Sequence, residues 1–223
     1  NFLVKHREQH LRIDGKLTDT EKDSCLIDLN NVNVQYVLDI LQFDDVQFGG
    51  FATGNVHLKQ ALKEPIMSTH LNVHDFKVNQ ALLGNADITG AWDNELGGIR
   101  LEANIEEKDI SSTHVTGYVS PKMKGLDLNI EADSTNIGLI TPFMEGIFSE
   151  INGRVNGDVR LYGPFKFLDL EGGVRINLDA KLDALNTYFQ IKNDSIHIQS
   201  GELAFNDLQI FDREGNSGIV NGY

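Results

Sequence analysis

Apolar and polar residues alternate along most of this chain, most cleanly between Gly153 and Ala180. Val155, Gly157, Val159 and Leu161 fall on one side of an extended chain, with Arg154, Asn156, Asp158 and Arg160 on the other. In the next run Leu168, Leu170, Gly172, Val174, Ile176, Leu178 and Ala180 share a side, opposed by Asp169, Glu171, Arg175, Asn177 and Asp179. Successive side chains of a strand point to opposite faces, so both runs predict strands with one dry and one wet side. Gly163-Pro164 between them predicts the turn. At about 3.3 Å per residue the second run spans roughly 43 Å, more than twice an ordinary strand. Its apolar face has to meet something other than water.

The same pattern recurs on both sides. Leu11 to Leu17, Ser24 to Val32, Phe51 to Gln60, Met67 to His74, Ala86 to Trp92, Ile99 to Ile105, Ser112 to Val119 and Leu126 to Ala132 read as strands between polar turns. Thr187 to Lys192, Ile196 to Ser200, Leu203 to Phe211 and Gly218 to Tyr223 follow, with turns expected at Asn193-Asp194, Gly201-Glu202 and Arg213 to Asn216. The period changes twice. Val34, Val37, Leu38 and Leu41 fall at helical spacing behind Asn33, which predicts a short helix over Val34 to Leu41. A second helix is expected over Ile137 to Phe148, capped by Asn136 and kinked or restarted at Pro142. Strands that follow one another without intervening helices predict an antiparallel meander and exclude βαβ units.

An internal repeat has an offset of 103 residues: Asn33 and Asn136, Gly50 and Gly153, Gly54 and Gly157, Val56 and Val159, Leu58 and Leu161. The shared unit is a helix, Gly-x-x-x-Gly and a strand. The chain thus divides into a first β-repeat over 1–120 with helix 34–41 and a second over 121–223 with helix 137–148, joined in one continuous elongated sheet. The expected class is all-β with two short helices, a long curved antiparallel sheet growing by repetition.

Composition narrows the function classes. A net charge of −14, with no basic run beyond His6-Arg7, argues against a nucleic-acid partner. Cys25 is the sole cysteine, so no internal disulfide forms. No apolar run reaches the roughly 18 residues that span a bilayer. The chain opens in mid-pattern at Asn1 and stops within a strand at Tyr223, so it reads as a piece of a longer protein.

The candidates for chemistry have structural readings beside them. His70 and His74 have the spacing of a helical zinc pair, but on a strand they stand about 13 Å apart. Gly49-Gly50-Phe51-Ala52-Thr53-Gly54 has the glycines of a phosphate loop without its Lys-Ser or Lys-Thr. Asp44-Asp45 and Asp93-Asn94-Glu95 are acidic turns without the ligand spacing of a calcium hand. No nucleophile elbow or Cys-His pairing appears, so no enzyme, metal or cofactor is expected. What remains is the apolar face. Two arrangements satisfy it: two sheets packed as a sandwich, or one curved sheet with a greasy trough closed on itself or filled by an apolar guest.

Several segments in order resemble a known family. They are Leu126-Asp127-Leu128-Asn129-Ile130, Ile140-Thr141-Pro142-Phe143 and Gly153-Arg154-Val155-Asn156-Gly157-Asp158-Val159-Arg160-Leu161-Tyr162-Gly163. Leu170-Glu171-Gly172-Gly173, Phe205-Asn206-Asp207-Leu208-Gln209-Ile210-Phe211-Asp212 and Gly215-Asn216-Ser217-Gly218-Ile219-Val220-Asn221-Gly222 complete the set. Their succession resembles the TamB family of the AsmA-like superfamily, in its Bacteroidota form, with residues 33–120 as a more diverged copy. The resemblance implies a U-shaped sheet, a β-taco, in the periplasm of a Gram-negative bacterium. It also implies an N-terminal inner-membrane anchor outside this stretch and an Omp85-class outer-membrane partner, TamA or a BamA-like barrel. The implied roles are phospholipid transport between the membranes and outer-membrane biogenesis. On that basis acyl chains would lie along Val155, Val159, Leu161, Leu168, Leu170, Val174, Ile176, Leu178, Ile196, Ile198, Leu203 and Phe205. The alternatives are a scaffold for assembling outer-membrane β-barrels and a plain β-sandwich spacer.

Overall fold

Consecutive extended segments joined by short polar turns pair most simply with their sequence neighbours, since longer connections cost more chain entropy to close. The computed structural model describes residues 2–20, 22–35, 47–60, 62–63, 65–200 and 202–222. Its strands are β1 (Phe2–His6), β2 (Gln9–Gly15), β3 (Ser24–Asn33), β4 (Phe48–Lys59), β5 (Ile66–Val78), β6 (Ala81–Asp93) and β7 (Gly98–Glu107). They continue as β8 (Ser111–Ser120), β9 (Gly125–Asn136), β10 (Phe148–Pro164), β11 (Asp169–Leu182), β12 (Thr187–Gln199), β13 (Glu202–Phe211) and β14 (Ser217–Gly222). All fourteen lie in one sheet in chain order, and every pair is antiparallel. Among the described residues β1 and β14 do not meet, so the sheet is open rather than a barrel.

The two-sheet sandwich is thereby excluded in favour of the single long sheet. Other expectations change in detail. β1 was not foreseen, because Phe2, Leu3 and Val4 are consecutive apolar residues and hide the period of two. The second helical segment is a 3-10 helix over Ile137–Met144, and Phe148 already begins β10. Asn136 caps it, its Oδ1 accepting from the Gly138 N–H at 2.9 Å, while Pro142 has no N–H to extend an α-helical ladder. Of the predicted helix over Val34 to Leu41, Val34 and Gln35 are described and helical; the remainder lies outside the described residues, as does Asp44-Asp45. The turn foreseen at Gly163-Pro164 is shifted, with Pro164 O accepting from the Phe167 N–H at 2.8 Å.

Several expected strand ends are instead bulges. At Asn31, Asp75, Ser134, Asn193 and Asp207 the backbone enters the left-handed region, with φ between 52° and 54°. Each bulge leaves an amide off the ladder, and each such N–H finds a side-chain oxygen on a neighbouring strand. Asn31 N donates to Thr53 Oγ1 at 3.1 Å, Asp75 N to Asn85 Oδ1 at 3.3 Å and Ser134 N to Asn156 Oδ1 at 2.9 Å. Asn193 N donates to Asn177 Oδ1 at 2.9 Å and Asp207 N to Asn221 Oδ1 at 2.6 Å. Asn and Asp tolerate positive φ, and a bulge inserts one residue while bending its strand. The pairs Asn31–Thr53 and Ser134–Asn156 recur at the 103-residue offset. Repeat one thus supplies a hydroxyl where repeat two supplies a carboxamide.

No turn forms at Asn193-Asp194, where the sequence predicts one. β12 runs through it from Thr187 to Gln199, with Asn193 as the bulged residue. The ladder between β12 and β13 is interrupted there, resuming at Ile191–Ile210 on one side and His197–Ala204 on the other. Asp194 bridges the break, its Oδ2 accepting from the Gln209 N–H at 3.0 Å.

The sheet is curved as well as creased. Cα atoms of β6 and β9 come within 8 Å of each other, although three strand spacings, about 14 Å, separate them on a flat sheet. The buried Asn79 ties the curl, its Nδ2 donating to Leu139 O in the 3-10 helix at 2.9 Å and its Oδ1 accepting from the Gln47 N–H at 3.0 Å.

Replacing Asn156 with Ala leaves the Ser134 N–H without its acceptor, and is expected to cost about 1 kcal/mol in urea unfolding. An unchanged midpoint would show that water serves the bulge equally well.

Candidate functional site

Register decides which residues share a face, because residues directly opposite across a ladder point the same way. Leu71, Ile88, Ala103, Val115, Ile130, Val159, Gly172 and Ile198 lie opposite one another in succession from β5 to β12. A parallel row on the same face contains Leu101, Gly117, Leu128, Leu161 and Leu170. A third runs through Ala52, Val73, Ala86, Ile105, Thr113, Ala132, Gly157, Val174 and Ile196. The bulges lie in a band beside this third row. With β-strand spacing of about 4.8 Å, fourteen strands carry the apolar face across roughly 60 Å.

This face has two halves. From the third row onward, across the band of bulges, it is packed. Val34, Ala52, Val73, Leu83, Ala86 and Ile105 pack into one core, joined by Phe48, Phe76, Val78 and Leu139 and, from the first row, by Ile88 and Val115. Ile137, Ile151, Ile176 and Ala180 form a second, joined by Val155, Val174, Leu178, Ile191 and Ile196. On the remainder of the first row and on the second, Leu101, Leu128, Ile130, Val159, Leu161, Leu170 and Ile198 are half-buried and belong to neither core. Among the described residues nothing packs over this part of the face as a core, and it forms an elongated open groove along the sheet.

The twelve residues named from sequence divide along this line. Val155, Val174, Ile176, Leu178 and Ile196 belong to the second core, with Ile176 only 2% exposed beneath the 3-10 helix. Val159, Leu161, Leu170, Ile198 and Phe205 are half-buried on the same face, outside both cores. Leu168 precedes β11 and lies in the turn, 37% exposed. Leu203 pairs with Ile198 in the ladder, and its side chain is outside the described residues. Sequence reasoning passed over Leu101, Leu128 and Ile130, which the registers align with Leu161 and Val159. The clean alternation of Leu126 to Ala132 was the signal available for two of them.

Glycines set the depth of the groove floor. Gly157 and Gly172 have φ of 137° and 146°, and a Cβ on either would stand 2.3 or 2.2 Å from a carbonyl oxygen of the facing strand. Only glycine takes this backbone without strain.

The opposite face is polar and laced by ion pairs across strands. Arg160 on β10 forks onto Asp127 of β9, Nε to Oδ1 at 2.8 Å and Nη2 to Oδ2 at 2.7 Å, and reaches Glu171 of β11 at 3.1 Å. The fork holds the Asp127 carboxyl below its usual range and the guanidinium above its own. Burial, then the nearby Glu171 carboxylate, pushes the Tyr162 hydroxyl up. Asp93, whose Oδ1 takes the Leu96 and Glu95 N–H groups, is held low by the Leu96 bond first and by Arg100 next. His70 and His74 both sit on β5, and His70 Nε2 is 2.8 Å from Asp87 Oδ2. Among the described residues no cluster of three metal-ligating side chains occurs.

Comparison with models of known protein families, with curated proteins and with solved structures finds no match to the chain. The architecture, an all-β, elongated antiparallel sheet that does not close, is consistent with the β-taco fold of the AsmA-like superfamily, which includes TamB.

The halves of the apolar face are expected to respond differently to truncation. Ile176→Ala, which opens a cavity in a packed core, should cost about 2–5 kcal/mol, and Val159→Ala in the open groove should cost clearly less. Equal losses in chemical denaturation would contradict the division.

Acid should also unfold the chain through its depressed carboxyls. Asp93, Asp127, Asp194 and Asp212 all titrate lower when folded, through hydrogen bonds to backbone N–H groups, Arg160 or Asn216. Each therefore stabilises the fold fully above its unfolded value, near 4, and ceases to as pH falls through its folded value. The thermal midpoint is expected to be insensitive to these groups between about pH 7 and 5 and to drop below about pH 4. Asp194→Asn should flatten part of that drop.

Proposed function

We propose that this chain is a segment of a TamB-like protein and that its open groove holds phospholipid acyl chains as they pass between two membranes. The reading is supported by one observation above the others: on a continuous apolar face crossing fourteen strands, the stretch from Leu101 to Ile198 through Leu128, Ile130, Val159, Leu161 and Leu170 belongs to neither core among the described residues. Acyl chains laid on Leu128, Ile130, Val159, Leu161, Leu170 and Ile198 would be held by burial worth about 0.8 kcal/mol per methylene. No bond is made or broken. A nearly uniform wall holds a methylene about equally at each step, so the groove permits sliding and supplies no direction of its own. On this reading the protein works in the periplasm of a Gram-negative bacterium, and its membrane anchor and an Omp85-class partner, TamA or a BamA-like barrel, engage other parts of it.

A second reading rests on the open edges. Among the described residues β1 pairs with β2 alone and β14 with β13 alone, and wherever such an edge is free in the protein an unfolded outer-membrane strand could extend it by added main-chain hydrogen bonds. A groove that binds lipid and an edge that binds strands are separable by photocrosslinking from Val159 and from Val4.

Mass spectrometry of organic extracts from the purified chain tests the first reading. Phospholipid is expected to co-purify, and Val159→Asp is expected to abolish it while far-ultraviolet circular dichroism stays unchanged. Extracts free of lipid, or equal lipid in the folded variant, would sink the proposal.

A further inference from the structure

The two turns at one rim of the sheet, β8–β9 and β10–β11, have a character foreign to the rest of this acidic chain. Pro121-Lys122-Met123-Lys124 and Phe165-Lys166-Phe167-Leu168 carry three lysines and no carboxylate. The turns are joined, the Phe165 N–H donating to Lys124 O at 2.8 Å where Pro164 pairs with Gly125. At their tips Met123 is 57% exposed and Phe167 79%, with Leu168 beside them at 37%. Phe167 is the most exposed of the large apolar residues described.

These side chains are held out on firm supports. Ser120, fully buried, donates through Oγ to Leu96 O at 2.6 Å and accepts from the Met123 N–H at 3.0 Å, which fixes the first turn. Phe167 N–H closes the second onto Pro164 O at 2.8 Å. Among the described residues none of Lys122, Lys124 and Lys166 takes part in an ion pair. The adjoining β6–β7 turn adds Glu95 alone.

Apolar tips ringed by lysines satisfy two demands of an anionic bilayer surface together. Phe and Met enter the boundary between headgroups and acyl chains, while ammonium groups remain at the level of the phosphates. We infer that the paired turns Pro121–Lys124 and Phe165–Leu168 form a docking patch for an anionic lipid bilayer surface. Charge complementarity chooses this occupant: three lysines against the single carboxylate of the adjoining turn, in a chain of net charge −14, are kept where neutral surfaces would need none. The patch lies at the turns, outside the groove, and stands whether or not the groove carries lipid.

Co-sedimentation of the chain with vesicles tests it, using phosphatidylcholine alone and phosphatidylcholine with phosphatidylglycerol in equal parts. Binding is expected only with the anionic vesicles and is expected to weaken with added salt. Lys122→Glu, Lys124→Glu and Lys166→Glu together should weaken it about a hundredfold, at roughly fivefold or more per lysine. Phe167→Ser with Met123→Ser should also weaken it, whereas Arg7→Glu, Lys77→Glu and Lys108→Glu at the opposite strand ends should not. Val159→Asp should sediment like the unaltered chain, which separates this patch from the groove. Equal binding to neutral vesicles, an unaffected triple variant, or a dimer in solution that the triple variant dissolves would each overturn the assignment.

Discussion

Parity governs this molecule. Side chains on a strand alternate between faces, so a slip of one residue anywhere in fourteen strands would turn apolar groups outward for the rest of the sheet. The ladders satisfy this at every seam, including the bulged ones. Where a bulge opposes three residue steps to two, as Ala132–Thr135 does to Gly157–Val155, inward-facing residues still meet inward-facing residues on both sides. The apolar face is continuous because the irregularities preserve it.

Those irregularities also give the sheet its form. A bulge bends and twists its strand, and a band of them beside one row of side chains becomes a crease. Each amide freed by a bulge would be costly to bury unsatisfied, and an Asn or Thr oxygen from a neighbouring strand receives it. Curvature is thus fixed by side-chain acceptors as well as by the backbone. It lets a single layer bury Val73 and Ile176 to 2% exposure with two short helical segments for cover.

The two halves of the inner face follow from where the helical segments fall. The cores gather on the third row and across the crease from it, on Val34 in one and on Ile137 in the other, and the first extends to Ile88 and Val115. On the proposed reading stability and binding are separated on one surface: the packed part holds the fold, and the open part would receive an apolar guest. The rim turns beyond the open half carry a further, separate chemistry.

The all-β class and the antiparallel meander were legible in sequence because alternation and turn residues are local properties. Fourteen strands could be counted, yet β1 was missed and β12 was split. The split has a physical cause. A bulge spaces inward residues three apart, as in Leu29 and Val32, Val73 and Phe76, or Phe205 and Leu208, and a reading at period two takes that as an ending. The residue inside each bulge, Asn31, Asp75 and Asp207 among them, is a turn former as well, so composition misled in the same direction. Which apolar residues are core and which line the groove was beyond sequence. Ile176 and Val159 occupy equivalent places in their alternations, and only register and the position of the helical roof distinguish them. Local chemistry set the faces; the pairing of distant strands under that roof decided which part of a face was left open.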